Sequence, residues 1–186
     1  LPLDNGHLLV NGQENELWEI DRDGHPLRGF PLQNRERRSR NYAWVCDVQK
    51  TKDGTIWALL TDGQLFFKPA SASEFQAHPI GRSSFGRSLM QSLLVEDNGD
   101  LWLGGIGVLW YYRAATGQLV DLHERIRELT KNTCTIRQIF CDGTGVLWIA
   151  SDFGLLKVRS RLYPIPERTK RVLRKPVLQY AGHLWR

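Results

Sequence analysis

The chain is patterned as short apolar runs separated by turns that are rich in glycine and aspartate. Residues 142–156 show this most clearly: a turn at Gly145 leads into an apolar run with Trp148, and a second turn at Gly154 leads into another apolar run. Helices would require longer stripes with a 3.6-residue period, whereas short β-branched and aromatic runs broken by glycine favour strands. The pattern therefore predicts a series of antiparallel hairpins.

The same layout recurs along the chain, with its turn glycines at Gly6, Gly54, Gly99, Gly145 and Gly182. A repeat of about 45 residues that contains only strands and turns is typical of β-propeller blades, each a four-stranded antiparallel sheet. We therefore predict an all-β fold of about four β-propeller blades, forming a fragment of a larger propeller. A compact ring of four blades is the alternative.

The predicted repeat copies divide a single propeller segment, residues 1–186, at regular intervals. They occupy about 1–41, 42–82, 83–131 and 132–176, with a truncated copy at 177–186. We expect residues 177–180 to form the first strand of a fifth blade. Residues 123–131 are predicted to form a short surface helix between two blades.

Residue types that recur in every copy have a structural explanation. Large apolar side chains after each turn would fill the space between stacked blades, which predicts a packing role for Trp57, Trp102 and Trp148. Acidic residues beside the turn glycines would close the turns through their own side chains. Because a catalytic acid is expected once, we interpret as turn-formers, at equivalent positions, Asp53, Asp97 and Asp142.

Composition and charge exclude several classes of protein. The 186 residues are 41% hydrophobic and 24% charged, as in ordinary globular domains, and no apolar run is long enough for a membrane segment. The net charge is +5, but the basic clusters at 35–40 and 168–175 lie between copies. They are predicted to be solvated loops, and no direct nucleic-acid binding is expected.

Candidate chemistry is sparse. The three cysteines lack CxxC spacing, so we expect buried free thiols and no metal site, although a Cys134–Cys141 pair stays open. The five histidines are scattered, without a catalytic triad, an HExxH motif or paired carboxylates. We therefore expect no catalytic residues, no enzyme activity in this segment and no cofactor.

The run D-x-x-G-x-L-W-x-[GA]-[TS]-x-x-G-L resembles the two-component regulator propeller repeat. Residues 142–155 match it nearly throughout and 97–109 match its Gly, Leu and Trp positions, while in the first copy Leu9 replaces the Trp. The resemblance implies the periplasmic sensor region of a hybrid two-component histidine kinase, an inner-membrane receptor typical of Bacteroidetes. It also implies a ligand such as an oligosaccharide, with the remaining blades or receptor domains as partners.

Propeller topology indicates where a ligand would bind. The segment that leads into the first strand of a blade and the loop between its second and third strands lie on one rim, over the central channel. Aromatic, Arg, Asn and Asp side chains suit sugars. On this rim we expect the ligand-binding residues Arg40, Tyr42, Trp44, Arg87, Gln91, Asn132, Arg137 and Asp152. Trp44 could instead be a packed channel residue. The alternative function is a structural or protein-interaction segment, including one that forms homo-oligomers.

Overall fold

The computed structural model describes residues 1–12, 15–32, 43–81, 88–159 and 177–180. Within these ranges the chain forms fifteen strands and one helix, and the strands make four separate antiparallel sheets. Each sheet is built from strands that follow one another along the chain. The predicted all-β architecture of successive blades is confirmed.

The strands keep chain order within each sheet. The first sheet contains β1 (Leu8–Asn11), β2 (Glu16–Ile20) and β3 (Pro26–Pro31). The second contains β4 (Val45–Lys50), β5 (Ile56–Leu60), β6 (Leu65–Lys68) and β7 (Gln76–Ala77). The third contains β8 (Met90–Val95), β9 (Leu101–Gly105), β10 (Val108–Arg113) and β11 (Gln118–Asp121). The fourth contains β12 (Ile136–Cys141), β13 (Leu147–Ser151), β14 (Gly154–Arg159) and β15 (Val177–Tyr180).

The four turn glycines within the described residues share one backbone conformation. Their φ angles lie between 81° and 83° at Gly6, Gly54, Gly99 and Gly145. Glycine adopts this left-handed region without the steric cost that a Cβ brings. Each glycine N–H also donates to the carbonyl oxygen three residues earlier, at 2.9 or 3.0 Å. The repeat is therefore a repeat of geometry as well as of sequence.

The acidic residues of these turns are not equivalent, and that part of the prediction is wrong. Asp53 directly precedes its glycine, whereas Asp142 lies three positions before its glycine and accepts that glycine's N–H on its carbonyl oxygen. Both still close their turns: the Asp53 Oδ1 accepts the Thr55 N–H at 3.1 Å, and the Asp142 Oδ1 accepts the Val146 N–H at 3.0 Å. The two aspartates stand at different positions of the turn, but each accepts the N–H of the residue that follows the glycine.

Each pair of consecutive blades encloses its own hydrophobic core. Trp57 packs in the core between the second and third blades, where its ring centroid lies 5.4 Å from that of Phe67. Trp102 is fully buried between the third and fourth blades. The predicted packing role of these two tryptophans is confirmed.

Trp148 lies on the far face of the fourth blade. Its neighbours Leu147 and Ile149 face the core shared with the third blade, so the alternation of a strand turns Trp148 the other way. On that face Phe140 is 41% exposed and pairs with Trp148 across the strands. Within the described ranges, this face is not covered by another blade.

Side chains also join the innermost strands of neighbouring blades. The Asp47 Oδ2 accepts the Leu93 N–H at 2.8 Å, and the Ser92 Oγ accepts the Ile139 N–H at 2.9 Å. Asp47 and Ser92 occupy equivalent positions, one on β4 and one on β8. Burial raises the pKa of the Asp47 carboxyl above its ordinary value. The hydrogen bond between neighbouring innermost strands thus recurs, with an Asp acceptor at one junction and a Ser acceptor at the next.

Residues 177–180 do not begin a fifth blade. They form β15, which pairs antiparallel with β14 and is the outermost strand of the fourth sheet. The prediction was wrong because the long basic stretch before these residues resembles a link between blades. Antiparallel pairing requires only that the chain returns to the open edge of β14, whatever the length of the connection.

The helix α1 (His123–Thr130) follows the third sheet, as predicted, and packs Ile126 against the core between the third and fourth blades. In the described part of the chain, no helix is long and apolar enough to cross a membrane. All three cysteines are free, so the Cys134–Cys141 pair does not form. Cys134 is buried as expected, but Cys141 is exposed at the end of β12, against the prediction.

His78 lies in an aromatic cluster, with ring centroids of Trp57, Phe67 and Tyr112 at 5.4, 5.9 and 5.7 Å. Its Nδ1 accepts the Ile80 N–H at 3.2 Å, and burial lowers the pKa of the imidazole below its ordinary value. The neutral form is therefore favoured in the folded state.

We expect this histidine to make folding stability depend on pH. The pKa of His78 in the folded state lies below the unfolded value of about 6.5. The contribution of neutral His78 to the free energy of unfolding is therefore complete above about pH 6.5. It is lost as the pH falls from there towards the folded pKa, because the unfolded chain binds the proton first. His78→Asn keeps an acceptor for the Ile80 N–H but removes the titration. Melting temperatures at pH 7.5 and 5.5 should therefore differ less in His78→Asn than in the wild type; an equal difference would contradict this account.

Candidate functional site

The innermost strands β4, β8 and β12 carry a β-bulge at the same place. The register shifts between residues 45 and 47, 90 and 92, and 136 and 138. The residues inside the shifts are Cys46, Gln91 and Arg137. A bulge leaves its extra residue out of the ladder and re-aims its side chain, and bulges are common beside binding sites. Three neighbouring blades thus present different side chains at equivalent positions, near the start of each innermost strand.

A cavity of about 490 Å³ opens at this level. It spans the second, third and fourth blades, on the rim where the chain enters each innermost strand. Its size falls within the range of about 300–1,000 Å³ that is usual for small-molecule sites. It is lined by Trp44, Val45, Cys46, Thr61, Leu89, Met90, Gln91 and Arg137.

Trp44 and Leu89 form the apolar part of the cavity, with 58% and 53% of their surface exposed. The backbone of Trp44 is fixed by the Thr61 N–H, which donates to its carbonyl oxygen at 2.9 Å. The Ile106 N–H likewise donates to the Leu89 carbonyl oxygen, also at 2.9 Å. An exposed indole on a fixed backbone offers a flat apolar surface at low entropic cost. Trp44 is therefore exposed rather than packed.

Gln91 and Arg137 form the polar part of the cavity. The Arg137 Nη1 donates to the Gln91 Oε1 at 3.4 Å, across the junction between the third and fourth blades. A guanidinium has five N–H donors and a carboxamide has both donors and an acceptor. The pair can therefore bind hydroxyl or carboxylate groups of a ligand that rests on Trp44.

Cys46 lines the same cavity, and its surroundings favour the protonated thiol. Burial, with a smaller contribution from Asp47, raises the pKa of its thiol to about 12. The thiol donates to the Leu59 carbonyl oxygen, with an S···O distance of 3.3 Å. Because the thiolate is the reactive form, this cysteine contributes shape rather than covalent chemistry.

The structure brings together Trp44, Gln91 and Arg137 from the predicted site residues. Asp152 and Asn132 do not line this cavity: the Asp152 Oδ1 accepts the Thr135 N–H at 2.8 Å, and the Asn132 Nδ2 donates to the Thr130 carbonyl oxygen at 3.4 Å. The remaining three lie outside the described residues, and their roles stay predictions: Arg40, Tyr42 and Arg87.

Sequence reasoning missed Leu89 and Thr61. A signal for Leu89 was present, since it stands one repeat of 45 residues after Trp44. Thr61 could have been found from its place in the blade, because it begins the loop between the second and third strands and this loop lies on the same rim. Residues that follow an aromatic site residue by one repeat belong to the same rim.

Among the described residues, one group of three potential metal ligands has its ligand atoms within 4.8 Å of one another, and it consists of Asp21, Asp23 and His25. The Asp21 Oδ1 accepts the N–H groups of Asp23 and His25, at 2.9 and 2.8 Å. These bonds shape the turn between β2 and β3, and hydrogen bonds from His25 lower the pKa of the Asp21 carboxyl. The cluster is explained by the turn that it forms.

No protein-family model and no curated protein matches the sequence. Among solved structures, the extracellular domain of the hybrid two component system BT4673 from B. thetaiotaomicron superposes with a TM-score of 0.62 at 22% identity, covering 98% of this chain. That of BT3049 from the same organism gives 0.62 at 17% identity and 97% coverage. A catalytically inactive virginiamycin B lyase from Staphylococcus aureus, with quinupristin, gives 0.61 at 15% identity and 86% coverage.

The chain shares its fold with these proteins. The matches extend over all four described sheets, which agrees with an arc of propeller blades. The chain spans 22% of the length of each extracellular domain and 51% of the lyase. At these identities the similarity shows the fold alone, and one of these proteins is an enzyme whereas the other two are parts of signalling systems.

Proposed function

We propose that this chain is an extracytoplasmic ligand-sensing propeller segment of a two-component signalling receptor, and that its ligand is an oligosaccharide bound in the rim cavity. The observation that carries the proposal is the exposed ring of Trp44 beside the hydrogen-bonded pair Gln91 and Arg137. Sugars present an apolar ring face and a rim of hydroxyl groups. An aromatic platform with adjacent amide and guanidinium groups complements both features.

Two further observations support a receptor segment. The fold is similar to those of two extracellular domains of hybrid two component systems, each much longer than this chain. The cavity draws its lining from three blades, so a ligand would contact all three at once and favour one arrangement of them. A periplasmic location in an inner-membrane receptor, as the repeat resemblance implies, fits this function.

We expect Trp44→Ala to weaken oligosaccharide binding about tenfold or more, as for a central aromatic contact. The purified chain is first melted with a panel of oligosaccharides, because a ligand that binds only the folded state raises the melting temperature. The affinity of the sugar with the largest effect is then measured by calorimetry. Arg137→Gln should weaken binding of the same sugar.

Leu27→Ala is the matched control, since Leu27 is also an exposed large apolar residue but lies on β3, away from the cavity. It should bind the sugar with wild-type affinity. All three variants should unfold within about 0.5 kcal/mol of the wild type, because exposed positions contribute little to stability. An unchanged affinity in Trp44→Ala, or a panel without any effect, would reject this site.

The alternative is a segment for protein interaction. It is favoured by the far face of the fourth blade, which no described blade covers and where Phe140 and Trp148 lie next to each other. Large exposed apolar patches mark interaction sites. Light scattering separates the two functions: a stable dimer that dissociates in Phe140→Ser and ignores every sugar supports interaction, whereas a monomer that is stabilised by one sugar supports sensing.

A further inference from the structure

The junction between the first and second blades lacks the aromatic pair that fills the next junction. In the second blade, Trp57 lies opposite Phe67 on the neighbouring strand, with ring centroids 5.4 Å apart. In the first blade the same positions hold Leu9 and Glu19, which also lie opposite each other. Leu9 and Trp57 each stand three positions after the turn glycine of their blade. A small aliphatic group and a carboxylate thus replace two rings.

The blade that faces this pair has changed as well. Where the third blade presents Leu101 opposite Tyr112, the second blade presents Ile56 opposite Lys68. Tyr112 contributes its ring to the aromatic cluster at the junction of the second and third blades. At the first junction, Lys68 supplies a cation in place of that ring. Three aromatic positions of one junction are therefore occupied by Leu, Glu and Lys in the other.

The consequence is a cavity of about 310 Å³ between the first and second blades. It lies at the ends of the strands that carry the turn glycines, on the rim opposite to the Trp44 cavity. Its apolar lining comes from the buried residues Leu9, Phe30 and Ile56. Glu19 and Lys68 stand at its sides. The Glu19 carboxylate already accepts two side-chain hydrogen bonds, at 2.6 and 2.9 Å.

The cationic side chains that line this cavity differ in whether they have a carboxylate partner. Arg28 and Lys50 each have a carboxylate partner. The Lys68 Nζ donates to the Ala72 carbonyl oxygen at 3.2 Å, and within the described ranges it forms no ion pair. An ammonium group beside an apolar floor can donate a charge-assisted hydrogen bond to an anion.

We propose that this cavity is a second ligand site, which takes a small organic carboxylate with an apolar body. The body would rest on Leu9, Phe30 and Ile56, and the carboxylate would pair with Lys68. The site is separate from the Trp44 cavity, because the two share no lining residue. It arises where the repeat has lost the side chains that close its other junction.

The test is calorimetric titration of the complete chain with benzoate, with neutral benzamide and cationic benzylamine as charge comparisons. We expect saturable benzoate binding with half-saturation below about 1 mM, and at least tenfold weaker binding of the other two. Leu9→Trp restores the residue that the repeat uses elsewhere and should abolish benzoate binding without lowering the melting temperature. Lys68→Gln should weaken benzoate binding about tenfold.

Lys52→Gln is the matched control, because Lys52 is an exposed cation of the same blade that lies outside the cavity. It should bind benzoate as the wild type does. The proposal is overturned if the wild type shows no saturable benzoate binding, if benzylamine binds better than benzoate, or if Lys68→Gln binds with wild-type affinity. The Lys68→Gln result decides the matter even if Leu9→Trp does not fold.

Discussion

Replacing Trp102 with alanine should lower the free energy of unfolding by about 3–5 kcal/mol, the range for deletion of a fully buried large side chain. Trp102 is 0% exposed in the core between the third and fourth blades. Its ring centroid lies 4.6 Å from that of Tyr111, and its Nε1 donates to the Glu96 Oε1 at 3.2 Å. Alanine removes these contacts and leaves a cavity that the stacked sheets cannot close. Urea denaturation followed by circular dichroism measures the change.

Trp148→Ala is the matched control for this prediction, because Trp148 holds the same repeat position in the next blade. It also has a hydrogen bond, from its Nε1 to the Asp142 Oδ2 at 2.7 Å, but it lies on the face of the fourth blade that no described blade covers. We expect a loss of about 1 kcal/mol, the usual size for a partly exposed site. Equal losses in the two variants would show that burial between blades is not what makes these tryptophans stabilising.

Replacing Gly105 with alanine should destabilise the chain by about 1–3 kcal/mol or more, as overpacking does. A Cβ at this position would lie 2.2 Å from the Leu89 carbonyl oxygen and 3.0 Å from the Met90 Cα. Both neighbours are backbone atoms, so no rotation of a side chain relieves the clash. The strand β8 must shift at its bulge, which also displaces Leu89 and Gln91 from the rim cavity. Oligosaccharide affinity should therefore fall together with stability.

Gly143→Ala provides the comparison, because a Cβ there would meet no atom within 4 Å. Its stability should stay within about 0.5 kcal/mol of the wild type, as at other open surface positions. Wild-type stability and sugar affinity in Gly105→Ala would mean that the close approach of β8 and β9 is not required for the site.

The blades could be predicted from sequence because their signals are local. Gly54 and Gly99 are needed for a left-handed backbone angle within a four-residue turn, and Trp57 and Trp102 follow them at a fixed distance. Such patterns are visible without knowledge of the rest of the fold. The assignment of residues 177–180 failed because strand pairing is not local: their partner β14 lies on the other side of a long basic stretch.

The candidate site was predicted only in part for the same reason. Trp44 could be singled out, since it lies outside the repeated Trp position. The bulges that bring Gln91 and Arg137 to one level are shifts of register between paired strands, and they depend on which residues face each other. Sequence periodicity does not report such a shift. The cavity between the first two blades was missed because Leu9 was seen only as a departure from the repeat.

Hydrogen exchange of the chain, with and without the oligosaccharide that most raises its melting temperature, tests the central claim most directly. A sugar in the rim cavity should slow exchange of the amides at the starts of β4, β8 and β12, near Trp44, Gln91 and Arg137, and leave the amides of β1 unchanged. Protection confined to the junction of the first two blades, or to the far face of the fourth blade, would contradict the claim and place the ligand elsewhere.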